Sequence, residues 1–167
     1  MEVKRFEKTG ENIGRLWRKL WENKYRFAAG DGSSLEEFLS WATAESTRIY
    51  DIENGKGAVW VTNIGPFNPT VEWSEIVGNP HAFFWDRTLL GRWEEFREAA
   101  LWIMRDAGID RAIGQSPQQG KLARRFIERL GFKRIGTMRQ ANWFSNGVVQ
   151  DVILYECLLS DLEGKEE

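Results

Sequence analysis

Cysteine is almost missing from this sequence. Cys157 is the one instance, so no disulfide framework exists, and a reducing, cytoplasmic setting is expected. Histidine is as scarce: His81 stands alone. A metal site would have to be built mainly from carboxylates, and none cluster at ligand spacing, so no metal is expected. Neither sign of charge dominates. Lys and Arg number 23 against 25 Asp and Glu, a net charge of -2, which removes the electrostatic case for a nucleic-acid partner. No apolar run reaches membrane-spanning length, and the charged first residues lack the apolar centre of a signal peptide. Linkers and low-complexity segments are absent too. The 167 residues therefore read as one domain over residues 1–160, large enough for a real core, with a charged tail at 161–167 expected to fray.

Tryptophan is what the chain has in excess, nine in all, at positions 17, 21, 41, 60, 73, 85, 93, 102 and 143. They follow no repeat period. Core and rim packing accounts for large aromatic rings without further assumption; ligand stacking or a partner interface is the alternative.

The most informative stretch is residues 92–138. A first helix over 92–107 places Phe96, Ala99, Ala100, Ile103, Met104 and Ala107 on one face, and Gly108 ends it. Residues 110–114 are long enough only for a buried strand or a loop. Ser116, Pro117 and Gln119 then read as a capping box with proline at the first helical position. The second helix buries Leu122, Ala123, Phe126, Ile127 and Leu130, and Gly131 stops it. Strand, helix, strand with a glycine at the second junction is the pattern of a parallel or mixed sheet with a crossover helix.

Earlier in the chain, a weak strand is expected over residues 3–7. An amphipathic helix over 12–25 follows, built on Ile13, Leu16, Trp17, Leu20 and Trp21, then a loop at 28–32. Ser33 with Glu36 opens a helix to Trp41 or Ala42. Strands are expected at 47–52 and 58–64 around a turn at 54–57, at 71–77, and at 81–85, with Gly78, Asn79 and Pro80 turning between the last two. A closing hairpin pairs 132–138 with 148–158 about Asn146-Gly147. One mixed sheet with helices on both sides fits this order.

The element order, with Ala123, Phe126, Leu130-Gly131-Phe132, Gly136 and the run Gly147 to Tyr155 around Asp151 and Val152, resembles the GCN5-related N-acetyltransferase (GNAT) family. The resemblance covers most of the chain as topology and about residues 112–155 as sequence. It implies a central mixed, mostly antiparallel sheet with helices on both faces, and acetyl transfer from acetyl-CoA to a small-molecule or peptide amine. The coenzyme's pyrophosphate would sit on helix N-terminal N–H groups, in the segment Thr88-Leu89-Leu90-Gly91-Arg92-Trp93, flanked by Trp85 and aided by Arg87 and Arg92. Gly120 and Ala123 are the implied coenzyme contacts on the second helix. Glu72 and Asp86 are the implied general-base candidates, with His81 in reserve. Asp31, Trp143 and Phe144 would line the acceptor entrance.

Four departures stand out. Thr88 replaces Gln or Arg in the phosphate loop, Trp93 takes the place of a tiny residue, and Gly120 and Ile127 fall where the family often has a coenzyme-contacting asparagine and a proton-donating tyrosine. An acetyltransferase reading follows, with a non-catalytic GNAT-like assembly or binding protein as the alternative, for example a bacteriophage virion or accessory protein. A generic α+β interaction module is a third reading. Monomer and homodimer both stay open. Trp93 separates the first two: it turns into the core in an enzyme and fills the coenzyme notch in a silent relative.

Overall fold

Residues 1–22, 34–72, 74–143 and 149–164 are described by a computed structural model, without the side chains of Asn142 and Trp143. Seven strands form a single sheet in the order β1-β2-β3-β4-β5-β7-β6. They are β1 (Val3–Arg5), β2 (Arg48–Ile52), β3 (Gly57–Pro66), β4 (Ile76–Phe84), β5 (Arg111–Pro117), β6 (Lys133–Trp143) and β7 (Val149–Leu158). Every neighbouring pair is antiparallel except β4 and β5. The helices are α1 (Gly10–Glu22), α2 (Leu35–Ala42), α3 (Trp93–Ala107), α4 (Lys121–Leu130) and α5 (Leu159–Glu163). None among the described residues is long and apolar enough to cross a membrane.

Strand alternation decides which helices lie where. Ile49 of β2 with Ala58 and Trp60 of β3 face α1 and α2, and are covered by Ile13, Leu16, Leu20, Phe38 and Ala42. Tyr50, Val61, Ala112 and Cys157 face the opposite way, against Ile103 and Met104 of α3 and Leu162 of α5. A third cluster joins Ile52 and Leu89 to Phe96 of α3 and to Phe126 and Leu130 of α4. Each such side chain contributes about 1.5–3 kcal/mol through its burial. Cys157 is fully buried, which pushes its thiol up to about 12.

Gly108 and Gly131 end α3 and α4 in the left-handed conformation, as their place after each apolar stripe predicts. Other expectations are corrected. Of the strand expected over 71–77, the described residues Val71, Glu72, Ser74 and Glu75 lie in no strand and β4 begins at Ile76, while Gly78, Asn79 and Pro80 lie inside β4 rather than turning. Ser116 and Pro117 end β5, paired with Ile153 and Val152, and do not cap a helix. α4 starts later, with Gly120 as its N-cap. Ser34, not Ser33, caps α2 by accepting from Glu37 N at 3.1 Å, and Ser33 lies outside the described residues. The two serines have the same spacing to a glutamate, so periodicity alone does not choose between them. Residues 161–163, expected to fray, belong to α5, where Asp161 pairs with Lys133 at 2.7 Å. Leu122, expected to be buried, is 72% exposed and is not among the residues that line the opening between β4 and β5.

Gly78 holds the closed end of that opening. A Cβ there would lie 2.5 Å from Val61 Cγ1 and 3.2 Å from the Ile109 side chain. Gly78→Ala is expected to cost about 1–3 kcal/mol by overpacking, read as a lower urea midpoint at unchanged m-value.

Candidate functional site

Only two residue pairs, Val77↔Arg111 and Gly78↔Ala112, join β4 to β5. Asn79 Nδ2 still reaches Ile113 O at 3.0 Å, and past that bond the parallel strands part. The helix expected between them does connect them, and the expected parallel, splayed pair is what the structure contains.

Proline explains how the parting is tolerated. Trp85 N donates to Lys56 O toward β3, and Ile76 N donates to Asp110 Oδ2 toward β5. Alternation then turns the Pro80 nitrogen toward β5, where no ladder remains to be broken. Gln118 N donates to Asp151 O, so the Pro117 nitrogen on the other wall also faces the opening. Each proline's missing donor falls where no partner strand exists.

The opening is a cleft of about 420 Å³ lined from both faces of the sheet. Its α1/α2 side carries Trp60, His81, Phe83 and Gln115. Trp41, Trp60 and His81 form a ladder of near-parallel rings, with centroids 5.2 Å and 5.6 Å apart, and His81 Nε2 lies 3.1 Å from Thr62 Oγ1. The α3/α4 side is walled by Phe84, Leu90, Phe96, Ala100, Phe126 and Ile127, among others. Ser116 is the one polar side chain on that side among the described residues.

The implied coenzyme residues are only partly brought together. Leu90 and Ala123 line the cleft, and Gly120 caps α4 beside it. A Cβ on Gly120 would meet Pro117 O at 3.2 Å, so the bare backbone keeps this corner open. Leu89 is buried in the core, and Gly91 ends an exposed 3-10 turn, Arg87–Gly91, that leads into α3. Arg87 is exposed beside that turn and makes no hydrogen bond among the described residues. Trp85 sits on the α1/α2 side under Lys19, whose Nζ is 4.7 Å from the ring, and is not a wall of the cleft.

Arg92 departs from expectation most. Its guanidinium is committed within the chain, to Glu95 and to Glu53 Oε1 at 3.0 Å. At this end remain the first turn of α3, which has no side-chain cap and carries Glu94 and Glu95, and the exposed Arg87. Trp93 packs on the cluster of Leu89, Phe96 and Phe126 and is absent from the cleft lining. The notch is not plugged by it.

Neither carboxylate named as a base candidate reaches the cleft. Glu72 is exposed in the loop before β4, at the paired end of the β4–β5 junction. Asp86 caps the 3-10 turn, accepting from Thr88 N at 2.9 Å and Thr88 Oγ1 at 2.7 Å. Those Thr88 bonds hold its carboxyl below the usual range. His81, the reserve candidate, does line the cleft. Asp31 and Phe144 lie outside the described residues, as does the Trp143 side chain. Ser116 was missed because it was read as a helix cap. No three His, Cys, Asp or Glu side chains among the described residues cluster as metal ligands.

The Arg92 network gives a pH dependence. Hydrogen bonds from Arg92, then from the Met1 amino group, bring the Glu95 carboxyl from an ordinary 4.5 to about 2. A lowered folded pKa contributes stability above the unfolded value that is lost as pH falls through the folded one. Stability should therefore decline from about pH 4.5 to about pH 2. In Glu95→Gln, acid-denaturation curves should lose part of that slope. An identical slope in the variant would show the pairing to be inconsequential.

Neither a family model nor a curated sequence matches the chain, whereas solved structures do. A variant of the spermidine N-acetyltransferase SpeG from Vibrio cholerae superposes with a TM-score of 0.69 at 14% identity, covering 97% of both chains. An acetyltransferase of the GNAT family from Streptococcus pneumoniae gives a TM-score of 0.66 at 20% identity, over 94% of this chain and 99% of that one. The protein yncA from Salmonella typhimurium, solved with its cofactor acetyl-CoA, gives 0.67 at 14% identity, over 95% and 93%. Nothing in these comparisons supports the bacteriophage alternative. The sheet order, the single splayed parallel pair and these superpositions agree: the fold is that of the GNAT acetyltransferases.

Proposed function

We infer that the protein is an acetyl-CoA-dependent N-acetyltransferase acting on an amine. The observation that carries this reading is the open cleft between β4 and β5, with Trp93 turned away from it. Past the Asn79–Ile113 bond no backbone pairing joins the two strands across the gap among the described residues. Their inward-facing backbone groups suit a ligand arm with its own amides, such as pantetheine. The start of α3 and Arg87 offer the anion-binding features at one end of such an arm. The apolar wall of Phe84, Phe96, Phe126 and Ile127 suits the methylene stretches between.

Acetyl-CoA, when bound, supplies a thioester carbon open to attack by an amine. The chain's residues divide the remaining work by face. The α3/α4 side holds the coenzyme arm. The acceptor enters from the α1/α2 side, where His81 is the one titratable side chain of the lining among the described residues. An imidazole there takes the proton that an ammonium must lose before it attacks. His81 replaces Glu72 and Asp86 in that role. A non-catalytic reading draws support from Arg92, whose guanidinium is spent inside the fold.

Thermal shift and calorimetry separate the two. At a hundred times its dissociation constant, acetyl-CoA should add about 2.7 kcal/mol and raise Tm by about 5–10 °C. An unmoved Tm with no heat of binding would overturn the enzyme reading. Trp93→Ala supplies an independent check. Removing a half-buried indole from the core should cost about 2 kcal/mol and leave acetyl-CoA affinity within two-fold. Coenzyme binding that emerges only in that variant would identify the indole as a plug.

A further inference from the structure

The α3/α4 side of the cleft is apolar except at one point. Ser116 is 2% exposed, its Oγ has no hydrogen-bond partner, and its residue lines the cleft. A buried hydroxyl left unpaired is costly, and a fold does not ordinarily carry that cost without return. The orientation follows from the sheet. Ser116 shares a face with Ala112, which packs toward α3, and its Oγ would lie 3.5 Å from a Cβ built on Gly120 at the start of α4. No side chain at position 120 stands between them.

We propose that the Ser116 hydroxyl donates a hydrogen bond to the coenzyme's sulfur and so stabilises the thiolate as it departs. This rests on the acetyltransferase reading above. In the reaction the amine nitrogen bonds to the acetyl carbon and the carbon–sulfur bond breaks. The electron pair of that bond stays on sulfur, and the proton shed by the nitrogen ends there. Negative charge therefore develops at the sulfur, on the side of the sheet where the coenzyme arm lies. Desolvated by an apolar wall, such a charge is costly unless a fixed donor faces it. On that wall Ser116 is the side chain with a proton to share. A serine hydroxyl is far less acidic than a thiol, so it donates a hydrogen bond and keeps its proton.

The decisive measurement titrates the thiol of coenzyme A bound to the protein, followed by the ultraviolet absorbance of the thiolate. In the parent the bound thiol should ionise about one pH unit below its value in Ser116→Ala. Ser116→Thr, which keeps the hydroxyl, should restore the lower value. Coenzyme A release from acetyl-CoA, with water or spermidine as probe acceptor, should slow on the order of ten- to a hundred-fold in Ser116→Ala. The Tm of the ligand-free variant should hold or rise, since the hydroxyl satisfies nothing in the free chain. A lowered Tm, or a bound thiol titrating alike in parent and Ser116→Ala, overturns the proposal. So does slowed release with an unchanged thiol titration, which would place the hydroxyl on another atom. If Ser116→Ala fails to fold, Ser116→Gly carries the same titration without the hydroxyl. Coenzyme A that does not bind the parent at all defeats the acetyltransferase reading itself, and this proposal falls with it.

Discussion

The proposed function depends on how little of β4 is paired with β5. Two residue pairs hold the centre of a seven-stranded sheet together. The rest of both strands is kept apart by what packs on either side. Phe84 and Phe96 lie 4.6 Å apart by ring centroids, and Phe126 meets both, so one wall of the gap is braced by an aromatic cluster. β5 is braced differently, by an uninterrupted antiparallel ladder to β7 from Arg111 to Pro117. A sheet opened at its middle would otherwise close or aggregate through its free edges. Prolines on both walls remove donors that closure would need.

The two faces also differ in how they are held. α1 and α2 cover a core rich in stacked rings, with Trp17 and Phe38, Phe38 and Trp41, and Trp41 and Trp60 in successive contact. α4 is anchored from below by Tyr155 of β7, whose hydroxyl donates to Glu128 Oε1 at 3.0 Å. Most of the nine tryptophans serve packing where the structure describes them, and Trp102 is one that stays 42% exposed.

Local signals made much of this legible. Gly108 and Gly131 marked both helix ends because left-handed caps favour glycine wherever they occur. The stripe of α3 followed from periodicity, and the antiparallel pairing of β6 with β7 from the Asn146-Gly147 signal, which lies outside the described residues. What failed was non-local. Pro80 and Pro117 ordinarily break strands, and only the absence of a neighbour on one side makes them harmless. That absence is set by chain far away in sequence. Arg92 was misjudged for the same reason, since its partner Glu53 lies across the fold on the turn after β2. Ser116 and Pro117 matched a helix start in every local respect, and β7 overruled them.

Cys157 has a practical side. Its thiol is fully buried beneath α3 and α5 and hard to ionise, so a thiol-reactive dye meets no target in the native fold. In an assay of the proposed acetyl transfer, dye consumed by native protein and thioester together would therefore count the released thiol alone. Under denaturant Cys157 becomes reactive as its pairing with Ala112 across β5 and β7 is lost. One side chain, silent in one experiment and informative in the other, lets the proposed turnover and unfolding be followed with a single reagent.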